Sequence, residues 1–474
     1  MKLTETQLAK IDAYLAAHRD EIVQTLFELI RIPSVQSEPK LHAPFGESCA
    51  AALEAAHRLY EREGLETKKT DSYALAYYGS GVHTLGVFAH SDVVPVNEAD
   101  WTVCAPFEPV VRDGFVYGRG SDDNKSGIVA SLYAVRMIRE LGLPFTGKMV
   151  LYTGSNEESG MADIAEFAKN EPMPDISLVP DGGYPFSYGE KSILRLYLTS
   201  KTAFHEVTDV TGGMAANTVL DCAGAQIAGK PELFDELVRA MANDDRIAVD
   251  RADDRITVTA KGVAAHAAHP ADGVNALGIL AEVLGKCQNL CENDRAIFGR
   301  ISALLADCNG AALGVPLADP AFGALTAANG IVRTESGKLS LSFDVRFGCS
   351  VTCEDVLAKI EQHTSDAWQA QNIRATDGFL LDPEGETAKK ILDVYRTVSG
   401  NKEAEPFLMG GGTYARHLKN AYSVGTVAWY RCKSPALPKG HGGAHQSDEF
   451  LCIDAFLEAI KILTATMIEC GENA

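Results

Sequence analysis

Two histidines and a set of carboxylates, placed at the ends of short apolar runs, are the side chains of this sequence best suited to chemistry. His90 closes the apolar run 85–90, and Asp92 follows two residues later, on the same side of an extended chain. A neutral imidazole is a good ligand for a borderline cation, and a carboxylate two residues on can orient a neighbouring group. A strand-end histidine followed by a turn aspartate fits the same letters. Asp123 lies in GRGSDDNKSG (118–127), whose glycines suit a tight turn with close backbone approach. The GxxxxGK[ST] spacing of a phosphate loop is missing, which leaves a plain turn or a ligand-bearing loop. Glu157 and Glu158 are adjacent in TGSNEESG, just after the apolar run 149–153. Beside a cation, one could be a ligand and the other a proton carrier; a helix start also favours acidic residues through its dipole. Asp181 in VPDGG and His445 in GHGGAHQSDE read equally as a turn aspartate and an exposed loop histidine. As a constellation they say more than singly. Two histidines and several carboxylates can hold two divalent ions, about 3.5–4 Å apart, around an activated water. Zinc accepts such N and O ligands, and manganese or cobalt can too.

These residues need a scaffold that brings strand ends together. The runs 85–90, 149–153 and 176–179 read as buried strands, with helical stretches near 126–141 and 161–170 between them. Strands alternating with helices predict an α/β layer with a largely parallel central sheet flanked by helices, and ligands gather at the carboxyl ends of such strands. Helical periodicity covers 5–31 until Pro33 stops it, and again 48–63. From about 191 to 378 the pattern changes to short alternating strands (193–198, 255–260, 339–345) with helices at 275–290 and 352–368, an α+β insertion. A helix over 386–399 and a last helix over 452–469 follow. The expected organisation is a catalytic domain in two parts, 1–190 and 379–474, around an inserted lid and substrate-binding domain, 191–378.

Composition bounds the function classes. The 474 residues predict two to four domains. With 43 basic against 64 acidic residues the net charge is −21, which repels phosphate backbones and anionic membrane surfaces. No apolar run approaches a bilayer span, and the N-terminus lacks a secretory pattern. Eleven scattered cysteines suggest a reducing compartment, the cytoplasm. The close pairs Cys287/Cys291 and Cys349/Cys353 read as packed thiols rather than a zinc knuckle.

HSDVVP, Trp101 with Pro106 and Phe107, DG-x-x-YGRGSDDNKSG, NEESG, PDGG and a late GAHQSDE occur in that order. Together they resemble the dinuclear metallohydrolase family of aminoacylases, carboxypeptidase G-like enzymes and dipeptidases. The resemblance implies that His90, Asp123, Asp181, Glu158 and His445 ligate two metal ions, with Asp123 as the bridge. It implies that Glu157 is the general base that deprotonates the bridging water, that Asp92 orients His90, and that the Asp123–Asn124 peptide is cis. GVAAHAAHPADGVNA (262–276) is similar to a family stretch whose histidine, here His266, stabilises the oxyanion. GGMAAN would put Asn217 at a substrate-binding position, FDVRF would put Arg346 on the substrate carboxylate, and GGGTYAR, with Gly411 and Gly412, resembles a loop lining the substrate site. The long insert is similar to that of peptidase V-type (Xaa-His-like) dipeptidases. There a two-lobed lid mimics a dimer within one chain, which implies a monomer with His266 acting in cis.

Departures from the pattern are Asn124, Ser126, Leu220 and Asp448. None removes an expected ligand. The sequence therefore predicts a metallopeptidase, a dipeptidase acting on small peptides with two divalent ions, zinc or manganese (cobalt possible). An N-acyl amino acid deacylase or desuccinylase, and a non-catalytic binding protein on the same scaffold, are the competing readings.

Overall fold

The strand Thr84–His90 is apolar almost throughout and buried along nearly its whole length, as a parallel strand covered on both faces must be. In the computed structural model, which describes residues 1–240 and 244–471, it lies at the centre of a sheet. The order is Glu66–Lys69, Tyr73–Gly79, Lys148–Gly154, Thr84–His90, Ile176–Gly182, Ala421–Gly425, Ser187–Glu190. The four strands from Lys148–Gly154 to Ala421–Gly425 are mutually parallel. The flanking pairs are antiparallel, so the parallel character expected from sequence belongs to the strands that carry the candidate ligands. Register sets His90 opposite Gly154, three residues before Glu157.

This sheet belongs to one of two compact units, made of Met1–Gly189, Leu380–Leu408 and Thr413–Ala474; the other comprises Glu190–Phe379 and Met409–Gly412. In the first unit the helix Lys125–Glu140 buries Ile128, Leu132 and Val135, and the helix Ile453–Cys470 buries Phe456, Ile460 and Leu463, in one apolar cluster. Each such side chain contributes about 1.5–3 kcal/mol by leaving water. The second unit has a nine-stranded sheet in the order Ile247–Ala252, Arg255–Lys261, Cys222–Ala228, Val207–Gly212, Val332–Glu335, Lys338–Phe347, Ser192–Ser200, Trp368–Thr376, with Thr326–Ala328 beside Lys338–Phe347. Ser192–Ser200 alternates strictly, burying Leu194, Leu196 and Leu198. Those leucines cluster with Leu277, Leu280, Phe298 and Ile360 from the helices Ala276–Leu284, Glu292–Leu304 and Cys353–Thr364, an α+β arrangement.

Several boundaries differ from expectation. The stretch 5–31 is two helices, Glu5–Ala17 and Arg19–Ile30, separated at His18 (φ −106°, ψ 12°). The buried residues Ile11, Leu15, Ile22, Leu26 and Ile30 keep helical spacing across that one-residue break, so periodicity hides it. The helix expected over 275–290 stops at Leu284, before Gly285, and a second one, Glu292–Leu304, follows unforeseen. The one expected over 352–368 ends at Thr364, and Trp368 opens a strand. Among the described residues, no helix is long and apolar enough to cross a membrane.

Candidate metal centre

The carboxyl ends of the parallel strands converge. His90 is the last residue of its strand, Glu157 and Glu158 follow the end of the neighbouring one, and Asp181 sits near the end of Ile176–Gly182. Asp123 lies in the turn before the helix Lys125–Glu140, and His445 in the loop before the strand Phe450–Cys452. His90 Nε2 is 3.1 Å from Asp123 Oδ1 and 3.6 Å from Asp181 Oδ2. His445 Nε2 is 3.0 Å from Asp123 Oδ2 and 3.1 Å from Glu158 Oε2. The two oxygens of Asp123 thus face two different histidines. Ligand atoms of His90, Asp123 and Glu158 lie within 4.8 Å of one another, and so do those of His90, Glu157 and Asp181. All six residues singled out around a cation in the sequence meet here.

The donor set fits two divalent cations. Oε1 of Glu157 and Oε1 of Glu158 are buried without a hydrogen-bond partner, a costly state for a carboxylate oxygen unless a cation or donor meets it. Four carboxylates crowd this space, and two dications would balance their charge. The His90 Nδ1–H donates to the main-chain carbonyl of Asp92 at 3.0 Å, which turns the Nε2 lone pair toward Asp123 and Asp181, the tautomer a ligand needs.

Burial and the close approach of opposite charges set the proton affinities of these groups. Burial opposes charge on His90, but its hydrogen bonds to Asp123 and Asp92 and the field of Asp181 hold it well above the ordinary imidazole range. Partial desolvation opposes charge on the half-exposed His445, and bonds to Asp123 and Glu158 raise it to about 11. Asp123 is buried too, yet the two imidazoles keep its carboxyl well below the usual range. Burial drives Glu157 well upward, reinforced by Asp181, Glu158 and Asp123 and opposed by His90. Burial and the charge of Asp123 also raise Glu158 and Asp181. Because a metal ligand must shed its proton, cations and protons compete for this site.

A further set of residues fixes the ligands, and sequence reasoning left most of them unassigned. The Asp92 carboxylate accepts the N–H of Glu157 and of Glu158, each at 3.1 Å, and comes within 3.5 Å of His90 Nδ1. The Asp123–Asn124 peptide is cis. Asn124 Nδ2 donates to Asp181 Oδ1 (3.0 Å) and to the Pro180 carbonyl, while its Oδ1 accepts the His90 N–H (3.3 Å), so this departure from the family pattern ties two strand ends together. Glu449 is fully buried, pairs with Arg119 at 2.6 Å, and accepts the N–H groups of Gly120, Asp122 and Asp123. Asp448 accepts the N–H groups of Thr102 and Val103 and pairs with His441 at 2.7 Å. Asp163 accepts the N–H groups of Ser155 (2.7 Å) and Asn156 (2.9 Å) and the hydroxyl of Tyr414. The signal for Glu449 was available: it ends the GAHQSDE motif, and a buried acid beside an arginine-bearing glycine turn calls for a partner.

The remaining predicted residues lie in the second unit. Backbone pairing joins two motifs far apart in sequence: Thr218 bridges His266, and the Ala267 N–H donates to the Asn217 carbonyl at 2.9 Å. The exposed His266 accepts the Ala268 N–H at Nδ1 (3.2 Å), which leaves Nε2 to carry the proton. Arg346 is buried, forks onto Asp344 (2.8 Å from Nε to Oδ1), and donates from Nη1 to the Gly410 carbonyl at 2.8 Å. Arg195 pairs with the other oxygen of Asp344 at 2.8 Å. The Gly410 backbone passes close to Ala268, where a methyl group would be crowded, and Gly411 and Gly412 follow it.

Comparison with known proteins gives consistent results. The Bacillus subtilis (strain 168) protein named "Putative dipeptidase YtjP" is 27% identical over 469 residues, covering 96% of this chain and 98% of its own length. The fold is similar to that of human carnosine dipeptidase 1, with a TM-score of 0.60 at 17% identity, covering 98% of this chain and 99% of that one. Aminoacylhistidine dipeptidase from Vibrio alginolyticus aligns with a TM-score of 0.53 at 16% identity, covering 96% of this chain and 97% of that one. The model of Peptidase family M20/M25/M40 matches residues 86–469, from the strand bearing His90 to the last helix. With its strand-end cluster of histidines and carboxylates, this chain belongs to Peptidase family M20/M25/M40, a family of metal-dependent peptidases.

Proposed function

We propose that this chain is a metal-dependent dipeptidase in which Glu157 carries the proton. The observation that supports this reading best is the pair of histidines set against opposite oxygens of Asp123, beside two buried and unpartnered glutamate oxygens. The dipeptidase names of its relatives point to the substrate class.

In this reading His90, Asp123, Asp181, Glu158 and His445 hold two divalent ions, zinc or manganese, with cobalt also suited to the donors. Bound there, the ions supply Lewis acidity and a water acidic enough to be deprotonated near neutral pH. Glu157 takes that proton on its carboxylate and later returns it to the leaving amine. Its Oε1, buried and without a hydrogen-bond partner, is open to receive that proton. His266 donates from Nε2 to the oxyanion that develops on the scissile carbonyl, where a preorganised donor is worth most. Arg346 and Asn217 hold the terminal carboxylate, and Gly411 and Gly412 leave room for the peptide. Arg346 would hold that carboxylate through the Nη1 and Nη2 hydrogens that Asp344 and the Gly410 carbonyl leave over.

We place the protein in the cytoplasm, as a monomer acting on small peptides. Cys49, Cys104, Cys222, Cys287, Cys291, Cys308, Cys432, Cys452 and Cys470 are free thiols, which fits a reducing compartment. The test is Glu157→Ala in protein loaded with metal. We expect turnover of dipeptides to fall by at least about a hundredfold, the lower end for losing a general base, with metal content unchanged. Near-parental turnover would refute the assignment.

A further inference from the structure

The loop that carries Glu157 and Glu158 is gripped at four consecutive amides. Asp163 accepts the N–H of Ser155 and Asn156, at 2.7 and 2.9 Å, and Asp92 accepts those of Glu157 and Glu158, each at 3.1 Å. Asp92 was expected near the metal centre; Asp163 has no part in the chemistry described so far. Its carboxylate is buried completely. The Ile164 N–H fixes its second oxygen at 2.7 Å, and the Tyr414 hydroxyl donates to the first. Tyr414 is itself fully buried, packed edge-on against Tyr152 (centroids 5.4 Å apart) and His90 (6.3 Å). A Cβ at Gly154 would overlap both the Tyr414 hydroxyl and the Asp163 carboxylate, so the strand end is kept bare for this pair. Tyr414 lies in the GGGTYAR stretch that the sequence suggested as a substrate-lining loop. Its hydroxyl instead points into the interior of the first unit.

We infer that the Asp163–Tyr414 pair is a positioning device for Glu157 and Glu158. A proton carrier and a metal ligand on one short loop must both be held to within about half an ångström of their working positions. A loop without regular hydrogen bonds does not provide that by itself. Asp92 grips the two glutamates directly, and Asp163 grips the two residues that lead into them. Tyr414 stops the Asp163 carboxylate from swinging away. This inference rests on the reading of Glu157 as proton carrier, and its test separates the two.

The experiment compares the parent, Tyr414→Phe, Glu157→Gln and the double variant, each loaded with zinc. It uses the best-cleaved member of a dipeptide panel, and zinc affinity is read in parallel by competition with a chelator. Tyr414→Phe removes one oxygen and no packing. We expect kcat to fall about tenfold, a modest part of what a misplaced catalytic group loses, with KM within twofold, and zinc to bind about tenfold more weakly through Glu158. In the Glu157→Gln background, Tyr414→Phe should cost no further kcat. Asp163→Asn, which keeps the shape of the side chain, should reproduce the same split between kcat and KM. Unchanged kcat and zinc affinity in Tyr414→Phe would overturn the inference, as would an equal kcat loss with and without Glu157. If Glu157→Gln alone kept its turnover, the Glu157 reading would fall, and zinc affinity would still decide whether Asp163 and Tyr414 position the loop.

Discussion

Glu449 is the best place to test how the metal centre is built. It is buried together with Arg119, with side-chain exposures of 0% and 3% and an N–O distance of 2.6 Å. Burial and the charge of Asp123 push its carboxyl upward, while Arg119 pulls it down. Removing one partner of such a pair strands the other's charge, at a cost of about 3–5 kcal/mol. Glu449→Gln keeps an oxygen for the N–H groups of Gly120, Asp122 and Asp123, so its cost should lie near the lower end, about 3 kcal/mol. Glu449→Ala also orphans those three N–H groups, at about 1–3 kcal/mol for each one left buried. Relaxation will absorb part of that, and we expect at least about 5 kcal/mol in total, a large share of a typical domain's stability. Because the orphaned amides include that of Asp123 itself, zinc affinity should fall about 10–100-fold. The assay is urea unfolding of chelator-treated protein, followed by zinc titration of whatever remains folded. Arg119→Met combined with Glu449→Gln should recover part of the stability, because no buried charge is then unpaired. A Glu449→Gln protein within about 1 kcal/mol of the parent with unaltered zinc affinity would refute this account of the loop, since a buried charge of this kind cannot be neutral.

Two further outcomes follow from the same geometry. The raised imidazoles, with His445 at about 11, mean that binding a cation expels protons, so zinc affinity should strengthen as pH rises from 6 to 9. Calorimetry in buffers of different ionisation enthalpy should show the proton release, and an affinity independent of pH would contradict it. The linkage runs the other way for metal-free protein: the contribution of His445 is complete below about 6.5 and is lost as pH rises toward 11. Asp123→Asn should lower the metal content of both sites, because its two oxygens face different histidines, whereas His445→Ala should spare the site around His90 and Asp181. Metal analysis after gel filtration distinguishes the two, and equal losses would argue against a bridging Asp123.

The site was more legible in the sequence than its supports were. His90, Asp123, Glu157, Glu158, Asp181 and His445 are polar residues at the ends of apolar runs or in glycine-rich loops, where burial alone gives no reason for them. The central strands were legible too, since a strand covered on both faces must be apolar along its length. The antiparallel strands Glu66–Lys69, at the sheet edge, and Tyr73–Gly79, next to it, were not foreseen; ETKK has no apolar pattern, and it pairs only because Tyr73–Gly79 offers it a free side. Asp163 and Tyr414 lie 251 residues apart, and nothing in local spacing announces that one will bond the other. The break at His18 stayed hidden because the apolar stripe runs through it unbroken. Asn124, a departure in the motif, became intelligible only once its amide was seen between Pro180, Asp181 and the His90 N–H.

A substrate panel on stripped and reloaded protein decides whether this chain is a metal-dependent dipeptidase. Protein freed of metal with a chelator would be reloaded with zinc or manganese. It would then be offered free dipeptides alongside N-acetylated and N-succinylated amino acids. We expect no cleavage without metal, and cleavage confined to the free dipeptides with it. Cleavage of the acylated amino acids in their place would contradict the substrate assignment, and silence on every substrate with both metals bound would contradict catalysis itself.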